Sequence, residues 1–147
     1  MSKPADVLNQ IKTQLANYSG LSYVNDESIF LGVRESITIF PCIIIEPISI
    51  SEQDNAYPNE RLTMRVAVMG YINCTDKDKQ IVGNSNDKGI LDVENDVKLA
   101  LDSDRTLGGN AIHLDIAETT YQFVEYPIRS FAINIDVLFQ QTKGTRT

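Results

Sequence analysis

Histidine occurs once in these 147 residues, cysteine twice and tryptophan not at all. With His113 the only imidazole, a Ser-His-Asp or Cys-His arrangement has no choice of base, and no partner motif lies near it in the chain. A zinc site needs three or four clustered ligands, whereas Cys42, Cys74 and His113 are scattered. They read as two structural thiols and a solvated or interface imidazole. Long apolar runs are also missing. None approaches the ~20 residues that span a bilayer, and the chain does not start with the basic-then-apolar order of a secretion signal. The expectation is a soluble protein made inside the cell, with no membrane partner. Positive charge is in deficit, 13 Lys+Arg against 20 Asp+Glu for a net −7, which disfavours coating nucleic acid by neutralising phosphates. Gly108-Gly109 precede a predicted strand and read as a turn, because a phosphate loop needs glycines ahead of a helix. Asp102 and Asp104 lack the spacing of a calcium loop and read as caps and turns. These absences predict a non-enzyme without cofactor or metal.

What is present suffices for one domain over 1–147, with 42% hydrophobic and 22% charged residues. Val7, Leu8, Ile11 and Leu15 line one face of a helix from Pro4 to Asn17, capped at Ser2 or Lys3 and stopped at Gly20. Residues 21–40 read as a short extended piece or loop. Phe40 to Ile50 reads as a strand buried on both faces at first, whose Pro47 requires an edge or a bulge. From Arg61 to Ile72, Leu62, Met64, Val66 and Val68 alternate with Thr63, Arg65 and Ala67, the period of a half-buried strand. Between these strands, Ser51 to Glu60 reads as a mobile hairpin loop, and Asp76 to Gly89 as a second mobile stretch. Its removal over 76–87 is expected to leave the fold intact. Ile90, Val93, Val97 and Leu101 predict a helix to Asp102, capped by Asn86 or Asp87, with Asp92, Glu94 and Asp96 off the apolar stripe. Ile112, Leu114 and Ile116 begin a strand that continues through Tyr121, Phe123 and Tyr126, aromatics assigned to the core, and turns near Pro127. Phe131, Ile133, Ile135, Val137 and Phe139 alternate along the last strand, and 141–147 reads as a flexible tail. The class is α+β: a mainly antiparallel β-sheet with two α-helices packed on one face.

Helix Ala5-Asp6-Val7-Leu8, strand opening Phe40-Pro41-Cys42-Ile43-Ile44, strand Arg61-Leu62-Thr63-Met64-Arg65-Val66, acidic helix Leu91-Asp92-Val93-Glu94-Asn95-Asp96-Val97 and closing strand Phe131-Ala132-Ile133-Asn134-Ile135-Asp136-Val137 follow one another in order. In this pattern the chain resembles the bacteriophage tail terminators, the tail-completion family of the lambda-type U proteins. The resemblance implies a homo-hexameric ring on the last ring of the tail tube, which stops tube polymerisation and offers a joining surface to connector and neck proteins. It further implies a place in the virion at the head-proximal end of the tail, assembly in the bacterial host cytoplasm, DNA passing through the lumen without specific binding, and no catalysis. The residues most suited to contacts are Tyr57, Pro58 and Arg61 in the first arm and Lys77, Lys79 and Ile81 in the second, since Tyr and Arg anchor interfaces and Ile81 is stranded among polar neighbours. Asp92, Glu94 and Asp96 are candidates for a lumen. Two other readings stay open: a different neck or head-completion protein, and a small-molecule-binding regulatory α+β domain that uses the mobile loops as a lid.

Overall fold

Ser2 opens the first helix, its hydroxyl accepting from the Ala5 N–H at 3.4 Å, with Pro4 in the first turn where a missing N–H leaves nothing unpaired. The computed structural model describes residues 2–34, 37, 39–54, 59–84 and 88–142. In chain order the elements are α1 (Lys3–Asn17), β1 (Ile29–Leu31), β2 (Cys42–Asp54), β3 (Asn59–Asn73), α2 (Lys77–Val82), α3 (Ile90–Asp102), β4 (His113–Glu125) and β5 (Ile128–Thr142), with two short 3-10 turns between α1 and β1. The strands form one five-stranded sheet of order β1-β2-β3-β5-β4. Only β1 with β2 is parallel; the other three ladders are antiparallel.

One face of the sheet makes the core. Leu62, Met64, Val66 and Val68 of β3 stand opposite Phe139, Val137, Ile135 and Ile133 of β5, and all are buried. Val7, Ile11 and Leu15 of α1 and Val93, Val97, Ala100 and Leu101 of α3 close over them. The two helices are tied by a side-chain amide: Gln14 Nε2 donates to the carbonyls of Ala100, Leu101 and Asp104 at 2.9, 3.2 and 3.0 Å. Carbonyls at a helix C-terminus have no partner within the helix, so α1 supplies one. The Asp104 carboxylate then organises the following turn, accepting from the Thr106 hydroxyl and N–H and from the Gly108 N–H, bonds that hold it below the usual carboxylate range. That contribution is present above the ordinary carboxylate pKa and fades as acid titrates the group.

The α+β class and the helix over 90–102 are as the periodicity requires, and Pro47 lies where proline is tolerated. β1 covers β2 only to Ile45, so Pro47 is on an edge, and the register shifts between Pro47 and Ser49. Several expectations are overturned. Ser51 to Asp54 and Asn59–Glu60 belong to β2 and β3, not to a loop; here the ladder and a buried polar pair, Gln141 Nε2 donating to Glu60 at 2.9 Å, hold the strands, and their polar residues hide them. Tyr57 and Pro58 lie outside the described residues. The stretch expected to be mobile over 76–89 contains α2, a third helix, capped by Asp76, whose carboxylate accepts from the N–H groups of Asp78 and Lys79. The cap of α3 is Gly89, and its N–H donates to Asp92 at 3.0 Å; Asn86 and Asp87 lie outside the described residues. Gln141 and Thr142 complete β5 instead of starting a tail, and 143–147 lie outside the described residues. Tyr121 and Tyr126 are half-exposed, not core: Tyr121 stands on edge strand β4 and reaches Glu94 with its hydroxyl, and Tyr126 lies in the β4–β5 turn, while the side chain of Phe123 lies outside those described. No helix among the described residues is long and apolar enough to cross a membrane.

Candidate assembly interface

The sheet's second face carries the chemistry left over by the core. Thr63, Arg65, Ala67, Met69 and Tyr71 of β3 alternate with the core residues, and the β5 residues opposite them are Leu138, Asp136, Asn134, Ala132 and Ser130. Among the described residues no helix of the core cluster lies on this side, although Cys42, Ile44 and Ala67, which face it, are buried. At its centre Arg65 spans to Asp136 with two bonds of 3.0 and 3.1 Å, and Asp136 in turn faces Asp115 of β4. Two carboxylates directly across a ladder repel, and Arg65 offsets that repulsion. Further along β4, His113 Nε2 lies 2.9 Å from Asp115, which also draws Arg105 to 3.7 Å. These groups are exposed, so they fix the polarity of a surface more than the stability of the chain.

The sequence-chosen contacts do not converge. Arg61 is exposed on this second face near the end of β3 where the β2–β3 hairpin turns. Lys77, Lys79 and Ile81 lie on α2, beyond the other end of β3. Arg61 and Asn73 are twelve residues apart on β3, roughly 40 Å at strand rise. The two arms are therefore opposite ends of one body.

The α2 end is built on a glutamine that the sequence does not advertise. Gln80 is buried, and its Nε2 donates to the carbonyls of Cys74 and Pro127 while its Oε1 accepts from Arg129 Nε at 3.3 Å. Tyr126 adds a bond from its hydroxyl to the Thr75 carbonyl at 2.6 Å. The helix is thus pinned to the β4–β5 turn, which removes the basis for a lid over 76–89 and for deleting 76–87 without damage. Ile81, Val82 and Tyr126 remain exposed around it.

Nor do the acids of α3 form a lining. Asp92 holds the Gly89 N–H, Asp96 accepts from the Tyr23 hydroxyl at 2.7 Å and pairs with Lys88 at 3.4 Å, and Glu94 is buried between Lys98 and the Tyr121 hydroxyl. The bond to Glu94, with some burial, pushes the Tyr121 phenol up to about 12. All three acids serve the fold.

Both cysteines are free thiols. Cys42 has no exposed surface, and burial pushes its thiol up to about 11; Cys74 is half-exposed on the rim of a cleft of about 480 Å³ with Tyr23, Phe40 and Lys88. Only thiolate alkylates. Iodoacetamide at pH 8 is expected to modify one thiol in the native protein, Cys74, and two after denaturation. Peptide mass mapping reads this out, and native labelling of Cys42 would contradict its burial.

No family model matches the chain, and no curated protein matches it in sequence. Solved structures do: 34 chains are similar to it in fold. Among them is a chain of the virion of a native gene transfer agent particle, with a TM-score of 0.58 at 8% identity, over 89% of this chain and 92% of that one. The likeness is one of fold. It extends over nearly the whole of both chains.

Proposed function

We propose that the protein is a non-catalytic structural part of a phage-like virion, and that it acts as a tail terminator. In this reading six copies form a ring that caps the tail tube, stops its polymerisation and gives the head's connector or neck proteins a surface to join. The observation that carries the reading is the division of the sheet. One face is sealed by α1 and α3, while the other, buried at Cys42, Ile44 and Ala67, is open from Arg65 to the hairpin end of the long strands and carries no helix of the core cluster among the described residues. A sheet layered on one side only and closed into a ring takes the bulkier helix layer outside, where the circumference is larger, and turns its bare face to the lumen. There Glu46, Glu118, Asp115 and Asp136 outweigh Arg61, Arg65 and Arg105 among the described residues, a balance that discourages a passing DNA from sticking. The likeness to a chain of a virion particle and the order of elements shared with tail terminators support the same class.

Light scattering over a concentration series, with and without the candidate tail-tube protein, tests this. The expected result is a shift from the 16.4 kDa monomer towards six times that mass. A monomer that ignores the tube protein at every concentration overturns it. In particles made without the protein, overlong tubes are expected; finished tails beside unjoined heads would instead assign it to head completion.

A further inference from the structure

The sheet has two open edges, and they differ. On one side β1 pairs only with Ile43 to Ile45 of β2, so β2 from Pro47 onward has no outer neighbour among the described residues. On the other side β4 is the last strand among the described residues. From β2 to β4 the sheet passes three antiparallel ladders, so the two edge strands run in opposite directions. A rotation about an axis along the strands preserves each strand's direction and keeps each face on its own side. It therefore brings β4 of one copy against β2 of the next antiparallel, with core side meeting core side and bare side meeting bare side.

We infer that copies of this chain join edge to edge, the His113–Ile116 part of β4 pairing with the Ile48–Ser51 part of β2 in the neighbouring copy. The inference rests on the ring reading above and names its interface. Three observations favour this pair of edges over others. Ser49 and Asp115 both stand beside Arg65 in the ladder frame, Ser49 directly and Asp115 through Asp136, so the two edges are level without any axial shift. Ile50 faces the core side with Met64 and is half-exposed, and Ile112 is half-exposed just before β4; each leaves apolar surface that the other edge covers. Polarity matches on the bare side, where Ser49 and Ser51 of β2 come level with Asp115 and His113 of β4. The alternative, β4 against β4 across a two-fold axis, sets Asp115 and Glu118 of the two copies against each other, a like-charge contact that a sheet disfavours. Pro47 and its bulge blunt the start of the β2 edge and confine pairing to the stretch beyond.

Cysteine cross-linking of the full chain in a Cys74→Ser background tests the interface. Oxidised Ser49→Cys/Asp115→Cys or Ser51→Cys/Asp115→Cys is expected to give a ladder of covalent oligomers ending at the closed ring, while each single variant stays unlinked. Ile50→Asp is expected to raise the concentration of half-assembly by about tenfold or more without altering the far-UV spectrum. Cross-linking by Asp115→Cys alone would replace this interface with the two-fold one. Assembly by mass, with neither pair linking and Ile50→Asp assembling normally, overturns the edge pairing and leaves the ring standing. A wild-type chain that never leaves the monomer overturns both.

Discussion

Phe131→Ala is expected to cost the fold about 3–5 kcal/mol, the range for emptying a buried aromatic site. Typical domains hold about 5–15 kcal/mol in all, so this one side chain accounts for a large share. Phe131 is 1% exposed and stands opposite Gly70 across the β3–β5 ladder, its ring lying where a Gly70 side chain would be. The glycine is needed for that approach and for no unusual backbone angle. Gly70→Ala is accordingly expected to cost about 1–3 kcal/mol by overpacking, and Gly70→Ala with Phe131→Leu less than the sum of the two singles. Guanidinium denaturation of the four proteins measures the coupling. Strict additivity would show that the ring and the glycine do not share this space.

Gln80→Leu carries the second large effect. The substitution keeps the buried volume but takes both amide donors from the Cys74 and Pro127 carbonyls and the acceptor from Arg129. The Pro127 carbonyl keeps the Cys74 N–H at 3.1 Å, but the Cys74 carbonyl loses its Gln80 donor; leaving such a group unpaired costs about 1–3 kcal/mol, and most of it should be local. The expected outcome is rapid proteolytic nicking between residues 74 and 83, while the slope of the denaturation curve is unchanged because the sheet and α3 unfold as before. Wild-type protease resistance in this variant would mean that α2 is held by something other than its glutamine.

What could be read from the sequence follows from burial. β5 and α3 each present one apolar face to the core, and a period of two or of 3.6 marks them; Ile90 to Leu101 gives the helix its bounds, whereas Phe131 to Phe139 marks only the middle of a strand that runs Ile128–Thr142. Elements held by hydrogen bonds left weaker traces. α2 buries only Gln80, so it lacks an apolar stripe; its signal was Asp76 ahead of a short run ended by Gly83, a cap and a stop. The hairpin ends of β2 and β3 are polar on both faces and look like loop. The bulge in β4 was visible as a change of phase, Ile112, Leu114 and Ile116 on even positions and Tyr121 and Phe123 on odd ones, although the phase alone does not reveal that Tyr121 reaches Glu94. The parallel pairing of three-residue β1 leaves no local mark. For the same reason the sequence points to two arms as contact candidates: exposed residues in polar segments draw attention, whereas a strand edge of the kind proposed above is a property of the sheet order and no single residue encodes it.

β3 and β5 pair through fifteen consecutive positions, Asn59 with Thr142 to Asn73 with Ile128, without a shift of register. Inserting one residue into either strand would turn everything beyond it to the opposite side, and inserting two would need a matching change in the partner strand. The roughly 50 Å height of the body is therefore a fixed dimension that descendants of this gene cannot adjust in small steps. Divergence has room at the two extremities, where the hairpin turns and where α2 sits, so related proteins should differ in what caps the strands while preserving the span between them.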